Sequence, residues 1–161
     1  MLAGFFYATD ASKLEVEDTF LKGTYGDVAS AFYAAADSNL SIVHMSVEDL
    51  EGPEQCTYDK AAVIVADSAK HVSVEHTVIE KSGCSYIYSD RTPVSINNSN
   101  FMSGQHKNPY VSIRGSELNV IGSRFKPADV EDLTVRGRGI YCDYCTSLTI
   151  SGSKFEGLKG F

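Results

Sequence analysis

The chain has 161 residues, a formal net charge of −7 and 43% hydrophobic residues. This apolar content is enough to bury a core, and the length predicts one domain covering residues 1–161. The acidic balance, with no long basic run, argues against nucleic acid and against an anionic membrane surface as partners. No apolar stretch approaches the roughly 20 residues that membrane insertion needs.

A short apolar phrase recurs six times along the chain. Each copy has one apolar residue, a second two positions later and a third seven positions after the first. The six copies are Leu14-Val16-Leu21, Leu40-Ile42-Val47, Val72-Val74-Ile79, Val94-Ile96-Phe101, Leu118-Val120-Phe125 and Leu148-Ile150-Phe155. The offsets stay constant while the spacing between copies varies, which is typical of a solenoid whose insertions fall in loops.

Each phrase predicts a strand followed by a tight turn. The first two apolar residues have the period of two that places them on one face of a strand. Four positions after the first apolar residue come types that tolerate a positive φ: Asp18, His44, His76, Asn98, Gly122 and Gly152. A turn at this position points the third apolar residue back into the same interior.

A second strand is predicted before each phrase, and it ends at Asp10, Asp37, Asp67, Asp90, Gly115 or Asp143. Helix fits poorly anywhere in the chain. The best helix candidate is the alanine-rich run from Asp27 to Ala36, yet its Phe32-Tyr33 aligns with strand residues of the other copies. The repeats are rich in β-branched and aromatic residues, so the predicted class is all-β.

Two segments carry a resemblance to known repeats: Thr92 to Phe101 (T-P-V-S-I-N-N-S-N-F) and Thr146 to Phe155 (T-S-L-T-I-S-G-S-K-F). They resemble the repeats of right-handed parallel β-helix proteins. That superfamily includes pectin lyase-like carbohydrate enzymes, phage tailspikes and large repeat-built surface proteins. The resemblance extends from about Phe5 to Phe161 and implies a right-handed parallel β-helix of about six coils.

The enzyme signatures of that superfamily are missing from the sequence. The N-T-D, D-D, G-H-G and R-I-K strings of polygalacturonase-like members do not occur. Lyase-like members combine clustered calcium-binding Asp residues with a catalytic Arg or Lys, and here only Asp90 with Arg91, joined by Asp67, offers part of that set. The recurring Asp residues are therefore interpreted as turn residues, and no catalytic residue is assigned. The repeats are most similar in pattern to those of the repeat-built surface proteins.

Two further residue groups allow more than one interpretation. His44 and His76 occupy equivalent positions of neighbouring coils and are close enough to share a metal ion, but no third ligand is evident, so no cofactor is predicted. Tyr7, Tyr33, Tyr88 and Tyr141 also occupy equivalent strand positions. They form either a sugar-stacking strip or lateral packing.

The cysteines and sequons indicate an oxidising compartment, extracellular or at the cell surface. Cys56 and Cys84 follow turn glycines of consecutive coils and are candidates for a disulfide. Cys142 and Cys145 form the C-x-x-C of the chain and are a local disulfide, a redox pair or half a zinc site. Asn39 and Asn97 begin N-x-S sequons and are glycosylation candidates. The start of the chain, 1–6, lacks the basic region of a complete signal peptide.

These observations predict a non-catalytic structural, display or adhesion segment of a longer surface or extracellular protein. Its expected partners are flanking coils or other protein subunits, bound end to end, with carbohydrate as a further possible ligand. One alternative is a carbohydrate-active enzyme, lyase-like or hydrolase-like. The other is a stacking subunit of a filament, because neither end of the chain has the polar character of a solenoid cap.

Overall fold

The computed structural model describes residues 6–23, 29–49, 62–82, 84–104, 109–127 and 138–157. Every regular element in these segments is a β-strand, and the eighteen strands form three parallel sheets. The predicted all-β class is therefore confirmed, and the chain is a parallel β-solenoid.

The three sheets are called A, B and C in the order in which the chain enters them. Sheet A consists of β1 (Phe6–Ala8), β4 (Ala29–Ala35), β7 (Ala62–Asp67), β10 (Ser85–Asp90), β13 (Pro109–Arg114) and β16 (Arg138–Asp143). Sheet B consists of β2 (Lys13–Glu17), β5 (Asn39–Val43), β8 (His71–Glu75), β11 (Val94–Asn97), β14 (Glu117–Ile121) and β17 (Ser147–Ser151). Sheet C consists of β3 (Phe20–Lys22), β6 (Ser46–Glu48), β9 (Val78–Glu80), β12 (Asn100–Gly104), β15 (Arg124–Pro127) and β18 (Lys154–Phe155).

The apolar phrase sets the register of sheets B and C. Its first residues pair from coil to coil in the order Leu14, Leu40, Val72, Val94, Leu118 and Leu148. The residues at +2 pair in the same way, and those at +7 form the matching column of sheet C. The predicted register is therefore confirmed in all three columns, because one constant offset places each residue on its counterpart.

The corner between sheets B and C lies where the sequence predicts a turn. Asp18, His44, His76 and Asn98 all have a positive φ, as do the glycines at 122 and 152. The next residue, as at Thr77, Ser99 and Ser123, is buried in the corner, and the third apolar residue two positions further on returns to the core.

Aromatic side chains stack along the solenoid axis inside the core. The ring centroids of Phe101 and Phe125 lie 5.0 Å apart, and those of Phe125 and Phe155 lie 4.7 Å apart. Tyr86 and Tyr110 form a second stack at 4.9 Å, and both side chains are fully buried. These contacts join residues of successive coils, so the core is continuous along the axis.

The ends of the stack differ from its middle. Each coil consists of three consecutive strands, one from each sheet. Coil one is therefore β1–β3, and coil six is β16–β18. The inner coils have a neighbour on both sides, and their apolar columns are almost fully buried. Among the described strands, those of coils one and six pair on one side only. The enclosed solenoid is thus about four turns, fewer than the six expected, because only the four inner coils are paired on both sides.

Candidate functional site

A shallow surface depression lies along the corner between sheets B and C in coils one to three. It has a volume of about 490 Å³ and is lined by Asp18, Thr19, Phe20, His44, Met45, Ser46, His76 and Val78. The imidazole centroids of His44 and His76 are 5.1 Å apart. His44 Nδ1 lies 3.6 Å from Asp18 Oδ1, and both side chains are largely exposed. Equivalent corner positions thus bring the two histidines together, as expected.

Within the described segments, no three or more His, Cys, Asp or Glu side chains are arranged to hold a metal ion. His44 and His76 are two of the four ligands that a structural zinc site requires. The corner therefore presents two weakly enclosed imidazoles and one carboxylate to solvent.

The structure brings together the Asp-Arg group identified in the sequence. Arg91 Nη2 lies 3.2 Å from Asp67 Oδ1, and Arg91 Nε lies 3.6 Å from Asp90 Oδ1. One coil further on, Arg114 Nε lies 3.7 Å from Asp143 Oδ2. These groups form a line of ion pairs along the outer edge of sheet A, and such exposed pairs add little to stability.

Turn geometry accounts for only part of the Asp recurrence. Asp10 and Asp37 have φ values of 56° and 60°, which places them in the turn as expected. Asp67, Asp90 and Asp143 instead end strands of sheet A and contact arginine side chains. The same residue type thus has two structural uses at this corner.

Groups with shifted pKa values are dispersed through the solenoid. Burial raises the pKa of Tyr33, with a smaller contribution from the charge of Asp67. Burial raises the pKa of Tyr86 more strongly and lowers the pKa of His71. Hydrogen bonds from Lys154 and then Arg124 lower the pKa of Glu156. Catalytic groups with shifted pKa values usually converge on one cleft, and these lie in different coils and sheets.

The outward column of sheet A contains the four equivalent tyrosines. Tyr7 and Tyr33 stack with their ring centroids 4.9 Å apart. In the middle of the column, Val65 and Tyr88 are buried with Ala62 in a small second core. Tyr7 and Tyr141, at the two ends, are 55% and 48% exposed. The column therefore serves as lateral packing in its centre and is open to solvent at its ends.

The cysteines take part in disulfide bonds in the described segments. Cys142 and Cys145 are joined by a disulfide, with their Cα atoms 5.7 Å apart, at the corner that leads from β16 to β17. Cys84 is fully buried and also disulfide-bonded. Cys56 lies outside the described residues, so its pairing with Cys84 stays a prediction.

Both sequon asparagines lie in sheet B. Asn39 begins β5 and Asn97 ends β11, and each is partly exposed. The Ser99 hydroxyl of the second sequon is buried and hydrogen-bonded within the corner. Attachment of glycan at Asn97 would therefore have to precede the folding of this corner.

Among the described residues, five of the eight exposed large hydrophobic side chains lie at the coil-six end, which we define by Tyr141, Tyr144, Leu148, Ile150 and Phe155. These five side chains are between 39% and 83% exposed. Leu148, Ile150 and Phe155 belong to the three interior columns, and their counterparts in coil five are buried. Sequence reasoning predicted these columns as core throughout. The only sequence feature that marks these three residues as exposed is their place in the last repeat.

The opposite end of the solenoid is more enclosed, since Val16 and Ala8 of coil one are buried. Leu14 and Leu21 are partly buried in coil one, whereas their counterparts in coil two, Leu40 and Val47, are almost fully buried. β1, β2 and β3 are the outermost strands of their sheets at this end, as β16, β17 and β18 are at the other. The coil-one end therefore presents less apolar surface than the coil-six end, although its strands are also the outermost of their sheets.

Comparison with protein-family models, with curated proteins and with solved structures finds no match to this chain. The fold defines its class as a parallel β-solenoid. Among the described residues there is no helix with the length and hydropathy of a membrane span.

Proposed function

We propose that this chain is a non-catalytic structural, display or adhesion segment of an extracellular or surface protein. In this proposal it is a right-handed β-helix of the pectin lyase-like superfamily, joined end to end to further coils. The observation that carries the proposal is the coil-six end. There the side chains of the interior columns are exposed to solvent next to the edges of all three sheets.

Physical chemistry supports a partner at this end. Unpaired strand edges expose backbone N–H and C=O groups that readily pair with another strand. A further coil would continue all three parallel ladders and would cover Leu148, Ile150 and Phe155. Clusters of exposed apolar side chains on soluble proteins usually mark interaction sites.

The dispersed ionisable groups support the non-catalytic part of the proposal. A lyase or hydrolase needs convergent groups within hydrogen-bond reach of one substrate. The second candidate function, a carbohydrate-active enzyme, is favoured by one observation, the contact of Arg91 with both Asp67 and Asp90.

The full chain is expected to leave pectin, alginate and related acidic glycans intact. The test is a depolymerisation assay that follows new chain ends, with Asp90→Asn and Asp143→Asn as matched variants from the same edge of sheet A. Activity that disappears with Asp90→Asn and persists with Asp143→Asn would establish the enzyme and end the scaffold proposal.

The proposed compartment predicts glycan on Asn39 or Asn97 when the chain passes through a eukaryotic secretory pathway. Intact mass should then exceed that of the polypeptide, since each attached glycan adds mass. Asn39→Gln and Asn97→Gln assign the site, and the double variant should return to the polypeptide mass. A secreted wild-type chain of unmodified mass would contradict this prediction.

A further inference from the structure

His44 and His76 are held side by side by the backbone of the corner between sheets B and C. The His44 amide donates a hydrogen bond to the Glu75 carbonyl at 3.1 Å, and the His76 amide donates one to the Asn97 carbonyl at 3.0 Å. Both histidines have a positive φ, and the residue after each of them is buried. The fold therefore fixes the spacing of the two imidazoles, while the imidazoles themselves are exposed.

The separation of the two rings is the one that a shared metal ion requires. Bonds of about 2.0–2.1 Å from the metal to an imidazole nitrogen place each ring centroid about 3.2 Å from the metal. Two such centroids at a tetrahedral angle are about 5.2 Å apart. The imidazole centroids of His44 and His76 are 5.1 Å apart, and the rings are tilted by 36°. Rotation of these exposed rings directs one nitrogen of each towards the same ion.

The surroundings of the pair favour a cation. Asp18, at the same corner position of the preceding coil, places its Oδ1 3.6 Å from His44 Nδ1. Among the described residues that line the depression, none is Lys or Arg. The net charge of −7 adds a long-range attraction for cations.

We propose that His44 and His76 bind one divalent transition-metal cation, with the Asp18 carboxylate beside it and water in the remaining coordination positions. Imidazole ligands suit Cu²⁺, Ni²⁺ and Zn²⁺, and Cu²⁺ should bind most tightly by the usual order of divalent metals. Ca²⁺ and Mg²⁺ prefer oxygen ligands and should not compete. With two protein ligands the site is open and exchangeable, unlike a closed structural site, and it does not depend on the scaffold function.

His71 provides the comparison of a histidine without a partner imidazole. It begins β8, in the same coil as His76, and its Nε2 lies 3.1 Å from Ser95 Oγ. Its register partner in the preceding coil is Asn39. His71 therefore offers one imidazole that already contacts a hydroxyl, and it is the matched control for the pair.

Calorimetric titration of the full chain, without an affinity tag, with CuCl₂, NiCl₂ or ZnCl₂ tests the site. One cation per chain should bind at the pair, and excess CaCl₂ should leave the binding unchanged. His44→Gln and His76→Gln should each weaken binding about 100-fold, because a single imidazole lacks the gain from two linked ligands. His71→Gln should leave the affinity unchanged, and circular dichroism checks that each variant is folded.

Asn98 allows a test that adds a ligand instead of removing one. It occupies the corner position of the coil after His76 and has the same positive φ. Asn98→His extends the row to three imidazoles and should raise the affinity for Ni²⁺ about tenfold or more. The matched control is Thr149→His, which places a new exposed imidazole on sheet B in coil six and should have no such effect.

A wild-type chain that shows no saturable binding of Cu²⁺, Ni²⁺ or Zn²⁺ would overturn the proposal. An affinity that His44→Gln and His76→Gln leave unchanged, or that His71→Gln lowers equally, would also overturn it, since either result places the bound ion elsewhere. Equal affinities for Asn98→His and Thr149→His would contradict a shared ion at this corner.

Discussion

Replacing Phe125 by alanine is expected to lower the free energy of unfolding by about 3–5 kcal/mol, as large core truncations do. Phe125 is fully buried, and its ring stacks between those of Phe101 and Phe155. Truncation would open a cavity in the aromatic column and remove contacts to both neighbouring coils. Urea unfolding of wild type and variant, followed by circular dichroism, measures the difference.

The matched control is Phe20→Ala. Phe20 is 59% exposed and faces outward from sheet C, one position before its interior column. Its truncation should change the free energy of unfolding by no more than about 0.5 kcal/mol, as for ordinary surface sites. Equal losses for Phe20→Ala and Phe125→Ala would contradict the assignment of interior and exterior in sheet C.

Removing the Ser99 hydroxyl is expected to cost about 1–3 kcal/mol, the usual penalty for an unsatisfied buried polar group. Ser99 is fully buried at the corner between sheets B and C. Its Oγ accepts a hydrogen bond from the Thr77 amide at 3.2 Å and donates one to the Asn97 carbonyl at 2.9 Å. Ser99→Ala leaves the Thr77 amide without this acceptor, and urea unfolding measures the loss.

The same ladder supplies a control at its end. The Ser123 amide donates to Ser153 Oγ at 3.1 Å, in the way that the Thr77 amide donates to Ser99. Ser153 lies in coil six and is partly exposed, so water can replace its hydroxyl. Ser153→Ala should cost clearly less than Ser99→Ala. The reverse order would show that solvent does not reach the coil-six corner.

The local sequence pattern predicted the fold because every coil of the solenoid repeats the same strand and turn. A period of two around Leu14 and its counterparts assigns a strand face, and a residue suited to positive φ assigns the corner. Both signals lie within a few residues of each other. Their constancy from copy to copy therefore also predicts which residues pair between coils.

Local propensity was a poor guide where the tertiary context opposed it. The alanine-rich segment offered the best helix candidate, yet Ala29–Ala35 is strand β4, paired on both sides in sheet A. Ala31, Phe32 and Ala34 are fully buried there. Intrinsic helix preference amounts to less than about 1 kcal/mol per residue, which is small beside the burial of such side chains.

The sequence by itself determined the class of fold, the three interior columns and the corner turns, because these depend on residues close together in the chain. It also placed His44 beside His76, since equivalent positions stack. Only the tertiary structure decided that Arg114 contacts Asp143, and that Tyr88 is buried while Tyr7 is exposed. It alone decided that Leu148, Ile150 and Phe155 face solvent. Those properties depend on which atoms of neighbouring coils lie next to each side chain. A coil without a neighbour on one side has the same local sequence pattern as an enclosed coil.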